Sequence, residues 1–136
     1  MFFFQIPKLP ESLISARHFE LARRALVRTS RPGTFSAEDL AQYQAAWSQP
    51  GAMTGMINWY RALASRPALA RIPDIQVPTL VLWGKRDAFL LPELAERSVS
   101  RCRDAELVWF HEATHWVQHE ECSELNRRLL HFFGSR

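Results

Sequence analysis

Apolar positions fall into two regimes along this chain, helical in the first half and strand-like in the second. From Glu11 to Arg28 they are Leu13, Ile14, Phe19, Leu21, Ala22, Ala25 and Leu26. That spacing predicts an amphipathic helix, with Glu11 in its first turn and arginines in its last. Thr29–Thr34 contains Pro32-Gly33 and reads as a loop. Ser36 then N-caps a second helix, with Asp39 where a capping box places its partner and with Leu40, Tyr43 and Trp47 on one face. Gln49-Pro50-Gly51 stops it. A third helix, Met53 to Ala64, carries a stripe of Met56, Ile57, Tyr60 and Leu63, and Arg66-Pro67 breaks it. Upstream, Met1–Pro10 is aromatic, then punctuated by Pro7 and Pro10, and reads as extended.

Past Ile72–Pro78, a linker between the regimes, the period changes. Pro78–Gly84 is a short run of aliphatic, β-branched and aromatic residues ended by glycine, the pattern of a buried parallel strand. A helix follows over Leu91–Cys102, started by Pro92. A strand at Ala105–Phe110, a loop around Ala113–Val117 and a helix at Cys122–Phe133 complete a βαβα alternation, the mark of a doubly wound α/β fold. Leu80–Trp83 is apolar on both faces, as in a central strand. Two strands alone leave such a strand without its neighbours.

Composition narrows the function classes. The 136 residues suffice for one ordinary domain, and a net charge of +3 is not extreme. The basic residues are scattered, with small clusters at Arg23-Arg24 and Arg127-Arg128, which reads as a solvated surface and not a nucleic-acid face. Cys102 and Cys122 have no metal-like spacing and read as buried or partly buried thiols in a reducing cytoplasm. Met1-Phe2-Phe3-Phe4 is too short for a membrane span and lacks a basic n-region. The expected location is cytoplasmic.

Asp87 stands just past the turn that ends the first strand, and His115 lies in the loop after the second. An acid after one strand and a histidine after the next form the acid–base half of a hydrolase triad. The competing motif is His111-Glu112-Ala113-Thr114-His115, which matches H-E-x-x-H. Zinc chemistry needs both histidines on one helical face, and here a strand runs directly into His111. Metal ligands are therefore not expected. His18 and His131 read as surface or boundary residues on helices, His119 as part of the turn before the last helix, and Tyr43 and Trp47 as cap packing.

Four segments are similar to the epoxide hydrolase group of the α/β-hydrolase superfamily. Phe3-Phe4-Gln5-Ile6-Pro7-Lys8-Leu9-Pro10-Glu11 resembles the start of that group's cap domain. Asn58-Trp59-Tyr60-Arg61 resembles the cap segment bearing an epoxide-polarising tyrosine. Pro78–Asp87 resembles the strand and acid of the triad, and Thr114-His115-Trp116-Val117-Gln118-His119-Glu120 the segment around its histidine. The resemblance implies the C-terminal part of an α/β-hydrolase fold, two parallel strands with flanking helices, preceded by a helical cap. Residues 1–71 would be the cap and 72–136 the core part. It further implies Asp87 as acid, His115 as base and Tyr60 as one tyrosine, with Trp59 and Trp116 contacting substrate. No cofactor is implied.

The group's nucleophile elbow and histidine–glycine oxyanion loop have no counterpart in these residues, and its other tyrosine would fall just before Met1. Met1 then reads as an internal methionine of a longer parent. The parent would hydrate a small hydrophobic epoxide through an alkyl-enzyme ester, and this chain alone would be inactive. The alternatives are a related dehalogenase or esterase, with Asp or Ser as nucleophile, and a non-catalytic remnant. Such a remnant would pair with the missing N-terminal half, or with itself, through an exposed sheet edge. Neither a nucleic-acid nor a membrane partner is expected.

Overall fold

Local capping chemistry and the two apolar periods set the elements of the structure, a computed structural model that describes residues 2–64 and 73–134. The chain forms two compact units, Met1–Arg28 with Phe35–Arg71, and Thr29–Thr34 with Ile72–Arg136. The Arg66-Pro67 break and the start of the linker at Ile72 lie outside the described residues.

In the first unit a short 3₁₀ turn, Phe2–Gln5, precedes α1 at Leu9–Thr29. Residues 2–10 are therefore not extended throughout, and Pro10 sits in the first turn of α1, where proline's missing N–H costs nothing. α1 is not one continuous helix. Backbone geometry is non-helical from Ala16 to Phe19, and Arg17, His18 and Phe19 have φ of 50°, 55° and 62°. Beyond the break the Phe19 ring packs against Trp47, with centroids 6.0 Å apart.

α2, Ala37–Trp47, starts with the expected box. The Ser36 N–H and hydroxyl both donate to Asp39 Oδ2, at 2.8 and 2.7 Å, and the Asp39 N–H returns a bond to Ser36 Oγ at 3.1 Å. α3 spans Ala52–Ala64. Leu26, Trp47, Met53 and Ile57 are buried. The predicted stripe on α3 is thus only partly a core face: Met56, Tyr60 and Leu63 are about half exposed. The buried pair Met53 and Ile57 is one turn apart, and the other three lie on the adjoining flank.

In the second unit β1, Thr79–Gly84, and β2, Ala105–Phe110, pair in parallel, with Val81 opposite Leu107 and Gly84 opposite Phe110. α4, Pro92–Val99, makes the crossover. It is shorter than expected: Ser100 and Arg101 form a turn that closes the helix, and Cys102 is already paired with Ile75 in an isolated parallel bridge. Among the described residues the sheet has two strands, and β1 is half-buried along most of its length. A short helix α5, Val117–Glu120, and a long one α6, Cys122–Gly134, follow. His119 belongs to α5 and not to a turn. Cys122 is exposed, contrary to expectation, because the first position of α6 faces solvent; Cys102 is half-buried.

The two arginine clusters share carboxylates. Arg23 and Arg24 both bind Glu20, and Arg127 and Arg128 both bind Glu124. The arginine hydrogen bonds hold each of those carboxyls at about 2. Among the described residues, no helix is long and apolar enough to cross a membrane.

Candidate active site

β1 ends at Gly84, and the chain turns immediately. The Lys85 N–H donates to the Phe110 carbonyl and the Arg86 N–H to the Ala113 carbonyl, both at 2.9 Å, so the turn is fastened to the loop that follows β2. Asp87 comes next, with its N–H on the Gly84 carbonyl at 3.3 Å. Its carboxylate is 7% exposed and its two oxygens have separate tasks. Oδ1 accepts the Phe89 and Leu90 N–H groups at 2.8 and 3.0 Å, an Asx-type turn that fixes the carboxylate plane. Oδ2 meets His115 Nδ1 at 2.8 Å. Burial alone would raise this carboxyl, but the bonds from His115, Phe89 and Leu90 outweigh it, and its pKa lies below the ordinary value.

A carboxylate can only accept, so His115 Nδ1 carries the proton. In the neutral ring Nε2 is then left as a lone-pair acceptor. Nε2 has no hydrogen-bond partner among the described residues, and the side chain is 36% exposed. Phe89 and Trp116 flank the ring in T-shaped contacts, with centroids at 4.9 and 5.4 Å. Tautomer, orientation and access are all set for a base acting through Nε2.

The loop bearing His115 is seated on Gly84. A β-carbon there would stand 2.1 Å from the Thr114 carbonyl oxygen and 2.6 Å from that of Ala113. Its other anchor is Glu120, whose side chain is 0% exposed. Oε2 accepts the Thr114 N–H at 2.6 Å, and Oε1 accepts the Thr114 hydroxyl and the Arg31 N–H, each at 2.7 Å. Burial would raise the Glu120 carboxyl, but these bonds and the charge of Arg31 hold it below the ordinary value. Arg31 also binds Glu121 at 2.8 Å and the Glu120 carbonyl. The Trp116 indole N–H donates to Thr29 Oγ1 at 2.9 Å.

The remaining candidates lie elsewhere. His111 and Glu112 occupy the turn after β2, and Glu112 pairs with Arg86. The histidines of the H-E-x-x-H run are therefore not on a common helical face. Among the described residues no three His, Cys, Asp or Glu side chains are grouped to hold a metal ion. Trp59 and Tyr60 are on α3 in the first unit, with Trp59 76% exposed and Tyr60 stacked on Phe4 at 4.8 Å. Next to them Arg61 donates to the Phe4 and Ile6 carbonyls, at 2.9 and 3.2 Å, and to both Glu11 oxygens, at 2.6 and 3.1 Å. Two of the segments that carried the resemblance are thus tied together by one guanidinium.

The model of the alpha/beta hydrolase family matches residues 2–128. The chain belongs to the alpha/beta hydrolase family. A relative from Bacillus subtilis (strain 168), AB hydrolase superfamily protein YfhM, is 37% identical over 98% of this chain and 47% of its own length. Epoxide hydrolase 2 of Caenorhabditis elegans is 35% identical over 98% of this chain and 39% of its own. The solved structure of epoxide hydrolase CorEH matches at a TM-score of 0.79 and 26% identity, over 98% of this chain and 49% of that one. The chain therefore spans less than half the length of these relatives. Its fold is that of the C-terminal part of an alpha/beta hydrolase with its helical cap, and it is similar to the epoxide hydrolases within the family.

Sequence reading singled out Asp87 and His115, which the structure brings together, but did not anticipate the contacts made by Phe89, Thr114 or Glu120, or that the His115 loop is seated on Gly84. The available signals were a strand-ending glycine before the acid and a carboxylate shortly after Thr-His-Trp. Neither says what it touches. The donors to Glu120 include Arg31, far away in sequence.

Proposed function

We propose that this chain carries the acid–base and cap portions of an epoxide-hydrolysing enzyme. The carrying observation is the 2.8 Å bond from His115 Nδ1 to an Asp87 carboxylate whose other oxygen is fully occupied by backbone. In this reading a carboxylate nucleophile from a segment outside these residues opens the epoxide and forms an alkyl-enzyme ester. Tyr60 donates a hydrogen bond to the epoxide oxygen as it gains charge, and Trp59 and Trp116 contact the apolar part of the substrate. His115 Nε2 then takes a proton from water as the water oxygen attacks the ester carbonyl. Asp87 stabilises the imidazolium, which returns its proton to the departing ester oxygen as the tetrahedral intermediate collapses; the second water proton ends on the alkoxide made by ring opening, so the carboxylate is regenerated and the diol leaves. This chemistry calls for neither a metal nor an organic cofactor.

The same pair would serve a serine or aspartate nucleophile in an esterase or dehalogenase, so the test must separate substrates. The half of CorEH that this chain does not match is fused upstream of it. The chimera is expected to convert styrene oxide to its diol and to lose that activity on His115→Ala, while the chain by itself shows no turnover. A folded chimera that cleaves nitrophenyl esters or haloalkanes but leaves the epoxide untouched would overturn the epoxide reading.

A further inference from the structure

We infer that Glu120 is the positioning residue for His115, and that Arg31 completes its hold. This rests on the reading of Asp87 and His115 as an acid–base pair. Among the described residues His115 is hydrogen-bonded through its ring alone, and the backbone that aims it is fixed from either side. On one side, Thr114 gives both its N–H and its hydroxyl to Glu120, at 2.6 and 2.7 Å. On the other, the Trp116 N–H donates to the same Thr114 hydroxyl oxygen at 3.3 Å, and its indole N–H reaches Thr29 at 2.9 Å.

The arrangement requires a carboxylate. Both oxygens of Glu120 receive donors: Thr114 N–H on one, and Thr114 hydroxyl with Arg31 N–H on the other. A glutamine of the same shape has one acceptor oxygen, so its NH₂ would face a donor whichever way it turned. The side chain is fully buried, so water cannot replace the lost acceptor, and the backbone N–H of Thr114 or of Arg31 would be left unsatisfied. Thr114 would rotate away from Glu120, and the Nδ1–Oδ2 bond one residue further would lengthen.

The test is the water-exchange rate of the His115 Nδ1 proton, read by NMR on the whole chain with labelled histidine. Amides of β1 paired with β2 serve as an internal control for global stability. Glu120→Gln is expected to speed that exchange by about tenfold relative to the sheet amides, and Arg31→Ala by a smaller factor. Asp87→Asn should abolish the protection by itself. A Glu120 variant that folds and leaves the proton protected overturns the positioning role alone. A rise shared equally by the sheet amides also overturns it, since Glu120 would then support the fold in general. A proton indifferent to Asp87→Asn overturns both this inference and the acid–base reading beneath it.

Discussion

Position 84 has no room for a side chain. The 2.1 Å that would separate a β-carbon from the Thr114 carbonyl oxygen is far inside contact distance, and the obstacle is backbone, which cannot swing aside. Gly84→Ala is therefore expected to push the His115 loop off β1 and to destabilise the second unit by about 1–3 kcal/mol. Urea denaturation measures the loss, and the His115 Nδ1 proton should lose protection in the folded variant. The two buried carboxylates set an acid limit. Asp87 and Glu120 both have pKa values depressed in the folded state. Their contribution is fully present above the unfolded-state values, about 3.9 for Asp and 4.3 for Glu, and is lost as pH falls through the lower folded values. The urea midpoint should drop on acidification below that range. Asp87→Asn should lower the midpoint at neutral pH and make its fall with acid shallower. A midpoint independent of pH from neutral to strongly acidic would refute this.

Elements were legible where local chemistry suffices. The strands at Thr79–Gly84 and Ala105–Phe110 and the capping box at Ser36 follow from apolar runs, a terminal glycine and a short-range hydrogen-bond pair. The break in α1 was not legible, because Ala16, Arg17, His18 and Phe19 include none of the usual breakers. Its energetic signature is testable. A non-glycine residue in the left-handed region costs about 1–2 kcal/mol, against about 0.5–1 kcal/mol for the extra chain entropy of glycine. Arg17→Gly, at φ 50°, should thus stabilise the chain by roughly 0.5–1 kcal/mol. Ala25→Gly, in the regular part of the same helix, should cost about 1 kcal/mol. Equal destabilisation by both substitutions in thermal unfolding would mean that α1 runs unbroken. In the candidate site, Asp87 and His115 were legible because each follows a strand. Glu120 was not, because its role is created by Arg31 and Thr114 together.

Across the whole molecule, much apolar surface faces water. Phe2, Trp59 and Leu63 in the first unit are exposed, as are Val77, Leu91, Leu130 and Phe133 in the second. β1 is half-buried, and the Trp83 indole N–H is buried without a hydrogen-bond partner among the described residues. Exposed apolar area and an open parallel pair of strands favour self-association. Elution in size-exclusion chromatography is expected to shift earlier with rising concentration. A single monomeric peak at all concentrations, with one sharp unfolding transition, would contradict this.

The crossing of Thr29–Thr34 into the second unit bears on how the protein can be dissected. No single peptide-bond cut divides the chain along its structural seam. A piece beginning at Ile72 would keep Asp87 and His115 and look complete by motif. It would have lost the N–H of Arg31 from Glu120 and the hydroxyl of Thr29 from Trp116. Anyone building a minimal module around this histidine would have to splice residues 29–34 back in.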